Sequence, residues 1–260
     1  MLQLIPMPAV DVIDRIAPTL EPGQPVVMLQ NWHHLLFLHW AIRPEELQRL
    51  VPAELTVDTF EGNAYVALVP FTLTGVRAVL TPPLPWISNF HEINVRTYVH
   101  YQGRDPGIWF FSLDASSSIA VAAARAAYKL PYFHSDMKFF ASTDEAIPTI
   151  DFSAHRNDPR GALPANATIR YRAMEGIISH SVPGTLEHFL VERYILYTLD
   201  DHHRLHRARV YHQPYPLQRA EVLDIDETLV WAAGIRRSAG HPLRHYASEV
   251  SVKVYPLERV

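Results

Sequence analysis

The chain has 260 residues, 48% of them hydrophobic, a formal net charge of -4 and no cysteine. The mild acidity, without blocks of like charge, argues against a nucleic-acid partner. The lack of cysteine excludes a disulfide framework, a thiolate nucleophile and a cysteine-based zinc site. No apolar run approaches a membrane span, and the first residues lack the basic start of a signal peptide, so we expect a cytoplasmic protein without a membrane partner.

The first quarter of the chain predicts an arm followed by strands. Residues 1–25 end in a Pro-Gly-Gln-Pro sequence and are expected to form an N-terminal arm on a single domain over residues 26–260. An aromatic-rich, mostly buried strand or pair of strands is expected over residues 26–40. Residues 44–51 predict a short helix, because they begin with proline and two glutamates. The Glu-Gly-Asn sequence at 61–63 predicts a tight hairpin.

Residues 86–137 form the central stretch of the chain. Within residues 90–101, the polar side chains of Glu92, Asn94 and Arg96 alternate with apolar ones. This period of two is typical of a strand with two unlike faces. The polar face is either exposed to water or turned toward an interior cavity by a closed sheet.

The next strand, residues 107–114, is apolar on both faces, so we expect both faces to be covered. Simple alternation places Ile108 and Phe110 on one face and Leu113 on the other. The preceding turn, residues 102–107, is expected to be longer than a two-residue hairpin turn. A fully covered strand beside a strand with one polar face favours a barrel whose polar strand partly faces the lumen.

An alanine-rich helix is predicted after this strand. A serine within residues 116–118 suits its N-cap, alanine is the strongest helix former, and Pro131 ends it. Arg125 is the first charge inside this helix. Either it pairs with a surface carboxylate, or its forked guanidinium is aimed at a ligand carboxylate.

The rest of the chain is β-rich, with one helical turn opening at residues 183–185. No repeat or break in composition indicates a second domain. His202 and His206 stand four residues apart but lack the glutamate of the zinc-protease motif, so we expect no metal site. The expected strands are residues 133–141, 147–154, 167–173, 194–199, 205–212, 220–225 and 246–255.

Seven runs of the sequence carry a resemblance to a known family: LLFLHW (35–40), LVPFTLTGVR (68–77), HEINVRTYV (91–99), WFFSLDA (109–115), LPYFHSDM (130–137), ERYILYT (192–198) and HQPYPLQRAE (212–221). In this order they resemble the YqjF-like family of uncharacterised bacterial proteins, which is grouped with the acetoacetate decarboxylase superfamily. The resemblance spans about residue 30 to the C-terminus. It implies a mainly β (β-rich α+β) fold, a closed, cone-like antiparallel β-barrel with a central cavity and a few flanking helices.

The resemblance also implies particular site residues. Glu92 looks like the pocket glutamate of the decarboxylases, and Arg125 looks like their signature arginine, six positions before Pro131. Tyr132 and Phe133 stand where those enzymes have two adjacent lysines, one of which forms a Schiff base with the substrate. An aromatic pair cannot form an imine, so the resemblance implies the barrel and the cavity but not the Schiff-base chemistry of the decarboxylases.

Two hypotheses of function follow. The first is a cofactor-free protein whose cavity, lined by Glu92, Asn94, Arg96, Arg125 and Tyr132, binds a small organic acid or keto compound. The second is a decarboxylase- or lyase-like enzyme acting on a keto or hydroxy acid, with Glu92 as general acid or base and Tyr132 as proton donor. A third interpretation is that Glu92 and Arg96 merely neutralise each other. A homo-oligomer is compatible with either function.

Overall fold

The structure, a computed structural model, describes residues 13–84, 87–158, 163–176 and 178–260. Trp86, the first residue of the central stretch, lies outside the described residues, as do residues 1–12 of the predicted arm.

Strands dominate the described part of the chain, as the sequence predicts. The helices are α1 (Pro44–Gln48), α2 (Ser118–Tyr128), α3 (Leu186–Val191) and α4 (Leu229–Ala232), with a 3-10 turn at Ala17–Thr19. The strands are β1 (Met28–Ile42), β2 (Leu55–Val57), β3 (Ala64–Ala78), β4 (Phe90–Tyr101), β5 (Arg104–Ala115), β6 (Tyr132–Ala141), β7 (Ile150–Arg156), β8 (Asn166–Ala173), β9 (Ile195–Leu199), β10 (Leu205–Tyr211), β11 (Leu217–Glu227), β12 (Leu243–Val254) and β13 (Glu258–Arg259).

One large sheet contains all of these strands, in the order β13-β10-β9-β5-β6-β7-β8-β11-β12-β1-β3-β4-β2. Additional pairings of β4 with β5 and of β10 with β12 close the sheet partly into a ring. Its ladders are antiparallel except where β5 pairs with β6 and β9. The predicted barrel-type fold is therefore confirmed, with two parallel ladders that the sequence did not predict.

The central strands β1, β3 and β4 bury both faces. Alternate side chains on one face join a cluster with β7 and β8, which we call the packed core; it includes Leu68, Ile93 and Phe152. The side chains of the other face join α2 and α3 in a second cluster, the cavity core, which includes Phe37 and Val69. A strand covered on both faces needs no wet side, so the polar residues of β4 lie inside the protein.

The predicted helix of the central stretch is confirmed as α2. The Ser117 side chain caps it by accepting a hydrogen bond from the Ala120 backbone N–H, at 3.2 Å. Lys129 ends the helix in the left-handed conformation with φ of 55°, two residues before Pro131. These local signals place α2 directly between β5 and β6, across one side of the ring.

The predicted long turn between β4 and β5 is wrong. Gln102 and Gly103 alone make the turn, with φ of 50° and 76°, which is the two-residue geometry that suits strand twist. Gly107, expected in the turn, lies within β5. A Cβ atom there would come within 2.7 Å of the Ile195 carbonyl oxygen, so glycine permits the close approach of β5 to β9.

The described part of the predicted arm, residues 13–25, contacts the body of the protein. The Arg15 side chain donates to buried Asp58, and Lys253 pairs with Glu21 at 2.6 Å. No helix in the described part of the chain is both long and apolar enough to cross a membrane. The division into an arm and one domain stays a prediction.

Candidate functional site

A cavity of about 240 Å³ lies within the cavity core. Most of its wall is apolar, and α2 contributes only small side chains apart from Tyr128. An alanine-rich helix therefore leaves space that larger side chains would fill. The apolar wall includes Trp32, Leu35, Val69, Phe71, Phe90, Ala120, Ala123, Ala124 and Ala127.

A β-bulge decides which side chains of β5 reach this wall. Val95 pairs with Ser112 but Arg96 pairs with Phe110, so Phe111 is one extra residue in the ladder. The bulge reverses the alternation, and Leu113 lines the cavity together with Phe110. The predicted placement of Leu113 on the opposite face is therefore wrong, because simple alternation does not anticipate an inserted residue.

Four predicted site residues meet at one part of the cavity wall. Glu92, Asn94 and Arg96 extend from one face of β4, and Tyr132 extends from β6. The three residues of β4 are only 2%, 3% and 6% exposed. The sequence left the polar face of β4 either exposed to water or turned toward a cavity, and in the structure it faces a cavity.

The buried Glu92 and the half-buried Tyr132 form a hydrogen-bonded pair. The Tyr132 hydroxyl donates to Glu92 Oε2 at 2.8 Å, and Asn94 Nδ2 lies 3.5 Å from Oε1. Burial raises the pKa of Glu92 to about 7, although both hydrogen bonds oppose the rise. Burial and the neighbouring carboxylate raise the pKa of Tyr132 well above its usual value. Glu92 therefore changes charge near neutral pH, while Tyr132 keeps its proton.

Arg96 is buried without an anionic partner. Among the described residues, no carboxylate lies within ion-pair distance of it, and its Nε and Nη2 atoms have no hydrogen-bond partner. Its Cζ lies 5.7 Å from the centre of the Phe37 ring. Glu92 and Arg96 do not form a salt bridge, so the interpretation that they merely neutralise each other has no direct contact behind it.

Arg193 also lines the cavity and was missed by the sequence reasoning. Its Nη1 donates to Asp58 at 2.9 Å and its Nε to the Phe189 carbonyl at 2.8 Å, but its Nη2 has no partner. Burial lowers the pKa of Arg193. A charged pair, Glu192 and Arg193, inside an otherwise apolar run is the signal that could have found it.

Arg125, predicted to bind a ligand, lies elsewhere. Its Nη1 donates to the Tyr132 backbone carbonyl at 2.9 Å, and the residue does not line the cavity. It is half-buried and forms no ion pair with Glu92. The reason is its position on α2, since Ala123, Ala124 and Ala127 occupy the turn that faces the cavity.

No lysine is present among the described residues that line the cavity. Lys129 pairs with Asp201 at 3.1 Å, and Lys138 is exposed. Phe133 packs under the guanidinium of Arg156, whose Cζ is 4.4 Å from its ring centre. In the described residues, no group of three or more histidine or acidic side chains could hold a metal ion.

Comparison with known proteins identifies the family. Residues 29–251 match the family model DUF2071, described as an uncharacterized conserved protein. The chain belongs to the DUF2071 family. It is 38% identical over 234 residues to the "Uncharacterized protein YqjF" of Bacillus subtilis strain 168, covering 90% of this chain and 92% of that protein. The predicted resemblance to YqjF-like proteins is confirmed.

Solved structures share the fold of this DUF2071 protein. The enduracididine biosynthesis enzyme MppR, with HEPES buffer bound, superposes with a TM-score of 0.62 at 12% identity, covering 92% of this chain and 89% of that one. An acetoacetate decarboxylase-like enzyme from Sphingomonas wittichii RW1 gives 0.59 at 11% identity, covering 91% and 94%. Acetoacetate decarboxylase from Legionella pneumophila gives 0.57 at 12% identity, covering 94% and 92%. The fold is thus acetoacetate decarboxylase-like.

Proposed function

We propose that the cavity binds a small organic acid or keto compound, with its anionic group against Arg96. The observation that carries this proposal is the buried Arg96 guanidinium, which lines the cavity and has no carboxylate within ion-pair distance among the described residues. A buried charge costs several kcal/mol unless it is paired and hydrogen-bonded. A ligand carboxylate would supply that partner, since its two oxygens match the fork of a guanidinium.

The shape of the cavity supports a ligand with an apolar body. An engineered apolar cavity of about 150 Å³ in another protein binds benzene. The cavity of about 240 Å³ has room for a somewhat larger molecule. Its few convergent polar groups within apolar walls are the usual form of a small-molecule site.

Thermal-shift measurements with a panel of small carboxylates test the proposal. A structure of MppR, which shares the fold, is complexed with pyruvate, so short 2-oxo acids belong in the panel. A ligand at a hundred times its Kd stabilises by about 2.7 kcal/mol. For a chain of this length the melting temperature then rises by roughly 2–4 °C for each kcal/mol.

Two arginine variants decide whether a hit acts through the proposed site. Arg96→Met is expected to abolish the shift, because it removes the buried guanidinium and keeps an apolar side chain of similar length. Arg125→Met is the matched control, because Arg125 lies outside the cavity wall, and its shift should persist. Equal shifts in the wild type and Arg96→Met would contradict the proposal.

Glu92 favours a second candidate function, an acid–base enzyme acting on a keto or hydroxy acid. Its pKa of about 7 suits proton transfer at neutral pH, and Tyr132 lies within hydrogen-bond distance. Arg96 would hold the substrate carboxylate while Glu92 takes or gives the proton. The Glu92→Gln variant should then bind the acid but lose turnover. A variant that keeps turnover would exclude Glu92 from the chemistry.

A further inference from the structure

The cavity reaches from the buried interior to the protein surface at α2. Glu92, Arg96 and Arg193, which are no more than 6% exposed, form what we call its charged floor. Ala123 and Ala127 of α2 line the same cavity and are exposed to solvent. Since one wall includes both buried and exposed residues, the cavity is open beside α2, and a ligand can enter through this opening.

The side of α2 that faces the cavity carries only methyl groups over two turns. Its alanines are spaced by three and four residues, which places them on one side of a helix. They leave a gap between α2 and the sheet that larger side chains would close, and the gap is lined by apolar atoms. These residues are Ala120, Ala123, Ala124 and Ala127.

The charged side chains of the wall are confined to the floor. Among the described residues that line the cavity, Glu92, Arg96 and Arg193 are the charged ones. Arg193 pairs with Asp58, whereas Arg96 has no carboxylate within ion-pair distance in the described part of the chain. While Glu92 is protonated, the floor therefore has a net positive charge and favours one anionic group.

The polar side chains that β1 and α2 add to the wall already have partners. The Trp32 indole N–H donates to Gln30 Oε1 at 2.7 Å, and the Tyr128 hydroxyl donates to the Tyr255 backbone carbonyl at 3.3 Å. A second charged group of a ligand would lose water on this side without gaining a partner. One anionic group on an otherwise apolar molecule therefore fits the distribution of charge.

We infer that the ligand is a monocarboxylate whose apolar chain extends from Arg96 to the opening beside Ala123 and Ala127. A cavity of about 150 Å³ binds benzene, with its six carbon atoms, so about 240 Å³ accommodates about ten non-hydrogen atoms. Octanoate has this size. The inference rests on the proposed carboxylate site at Arg96 and deepens it by naming the class of acid.

Calorimetric titration of butanoate, hexanoate, octanoate and decanoate into the unmodified protein tests the inference. At pH 6 Glu92 is mostly protonated, given its pKa of about 7, and adds little repulsion. The affinity should rise roughly fourfold for each CH₂ added up to octanoate, which is the effect of burying that group. From octanoate to decanoate it should change by less than about twofold, because the added carbons extend past α2 into water.

Two double variants of α2 locate the opening. Ala123→Leu combined with Ala127→Leu places larger side chains across it. This variant should weaken the binding of octanoate by about tenfold or more, because the leucines and the chain compete for the same space. The binding of butanoate, which is too short to reach α2, should change by less than about twofold.

Ala122→Leu combined with Ala126→Leu is the matched control. Both alanines are exposed residues of the same helix, and neither lines the cavity. The affinities of this variant for butanoate and octanoate should equal those of the wild type. Equal affinities for octanoate in the two double variants would overturn the inference. If the variant at Ala123 and Ala127 does not fold, the series of four acids in the wild type still decides.

The acid series also separates this inference from the proposed function. An affinity that falls from hexanoate to octanoate, with binding still lost in Arg96→Met, would mean that the cavity is closed to longer chains. That result overturns the inference and leaves the carboxylate site standing. No binding by any of the four acids overturns the inference and also counts against the carboxylate site itself.

Discussion

The packed core and the cavity core use the same strands in opposite ways. Each contains a buried arginine that is 6% exposed, Arg156 on the packed side and Arg96 on the cavity side. Arg156 donates to both oxygens of Asp114 at 2.7 and 2.6 Å, and Ser135 also donates to that carboxylate. Arg96 has no such partner among the described residues.

The contrast teaches that burial of a charge alone does not indicate a site. The Arg156–Asp114 pair joins β7 to β5 with its hydrogen bonds satisfied, which is what a structural ion pair requires. Arg96 has the same burial, but among the described residues it has no carboxylate partner and its Nε and Nη2 have no acceptor. The difference in partners, rather than in exposure, distinguishes the candidate binding residue from the structural one.

The largest expected effect comes from breaking the structural pair. Asp114→Ala leaves Arg156 buried without its carboxylate and should lower the free energy of unfolding by about 3–5 kcal/mol. Urea denaturation measures this change. Asp201→Ala removes the exposed partner of Lys129 and should change stability by less than about 1 kcal/mol. Similar losses in both variants would contradict a structural role for the Arg156–Asp114 pair.

The charge of Glu92 should make stability depend on pH. The folded-state pKa of Glu92, about 7, lies above its ordinary value of 4.5. The preference of the folded protein for protonated Glu92 therefore contributes fully to stability below pH 4.5, and this contribution is lost as the pH rises through about 7. Glu92→Gln carries no such charge. Between pH 4.5 and pH 8.5, the free energy of unfolding of the variant should therefore rise by about 3 kcal/mol relative to that of the wild type.

The difference in free energy of unfolding between the wild type and Glu92→Gln separates the effect of Glu92 from that of the buried histidines. Burial lowers the pKa of His212 to about 4 and that of His39 well below its usual value. Their neutral forms are favoured in the folded state, so both lower stability as the pH falls, and they do so equally in the wild type and Glu92→Gln. A difference that is constant from pH 4.5 to 8.5 would mean that Glu92 titrates normally.

Two leucines of β3 compare the packing of the two cores. Leu68 is fully buried in the packed core, whereas Leu73 lies on the cavity wall. Leu68→Ala should lower the free energy of unfolding by about 2–5 kcal/mol. The loss for Leu73→Ala should be smaller than that for Leu68→Ala by roughly 1–2 kcal/mol, because one side of Leu73 already faces empty space. Chemical denaturation of both variants tests this, and equal losses would mean that the cavity wall packs as tightly as the packed core.

One substitution in the cavity wall is expected to raise stability slightly. Arg96→Met removes a buried charge that has no carboxylate partner among the described residues, so the protein without ligand should be more stable by about 1 kcal/mol. The same substitution is expected to abolish acid binding, which separates function from stability. A loss of several kcal/mol would show that Arg96 stabilises the fold as Arg156 does.

Local patterns predicted much of this protein. The alternation within β4 correctly grouped Glu92, Asn94 and Arg96 on one face, since the side-chain period of a strand is intrinsic to its backbone. A serine cap and Pro131 correctly bounded α2, because helix ends are set by nearby residues. Both inferences need only neighbouring positions along the chain.

Tertiary structure decided what those patterns leave open. The bulge at Phe111 depends on how β4 and β5 pair, and it turned Leu113 toward the cavity. The packing of α2 directed Arg125 to a backbone carbonyl, while Arg193 reached the same wall as Arg96 from far along the chain. Within β4, the sequence alone determined which side chains share a face. Only the closure of the sheet decided which face encloses a cavity, because that depends on contacts between residues distant in sequence.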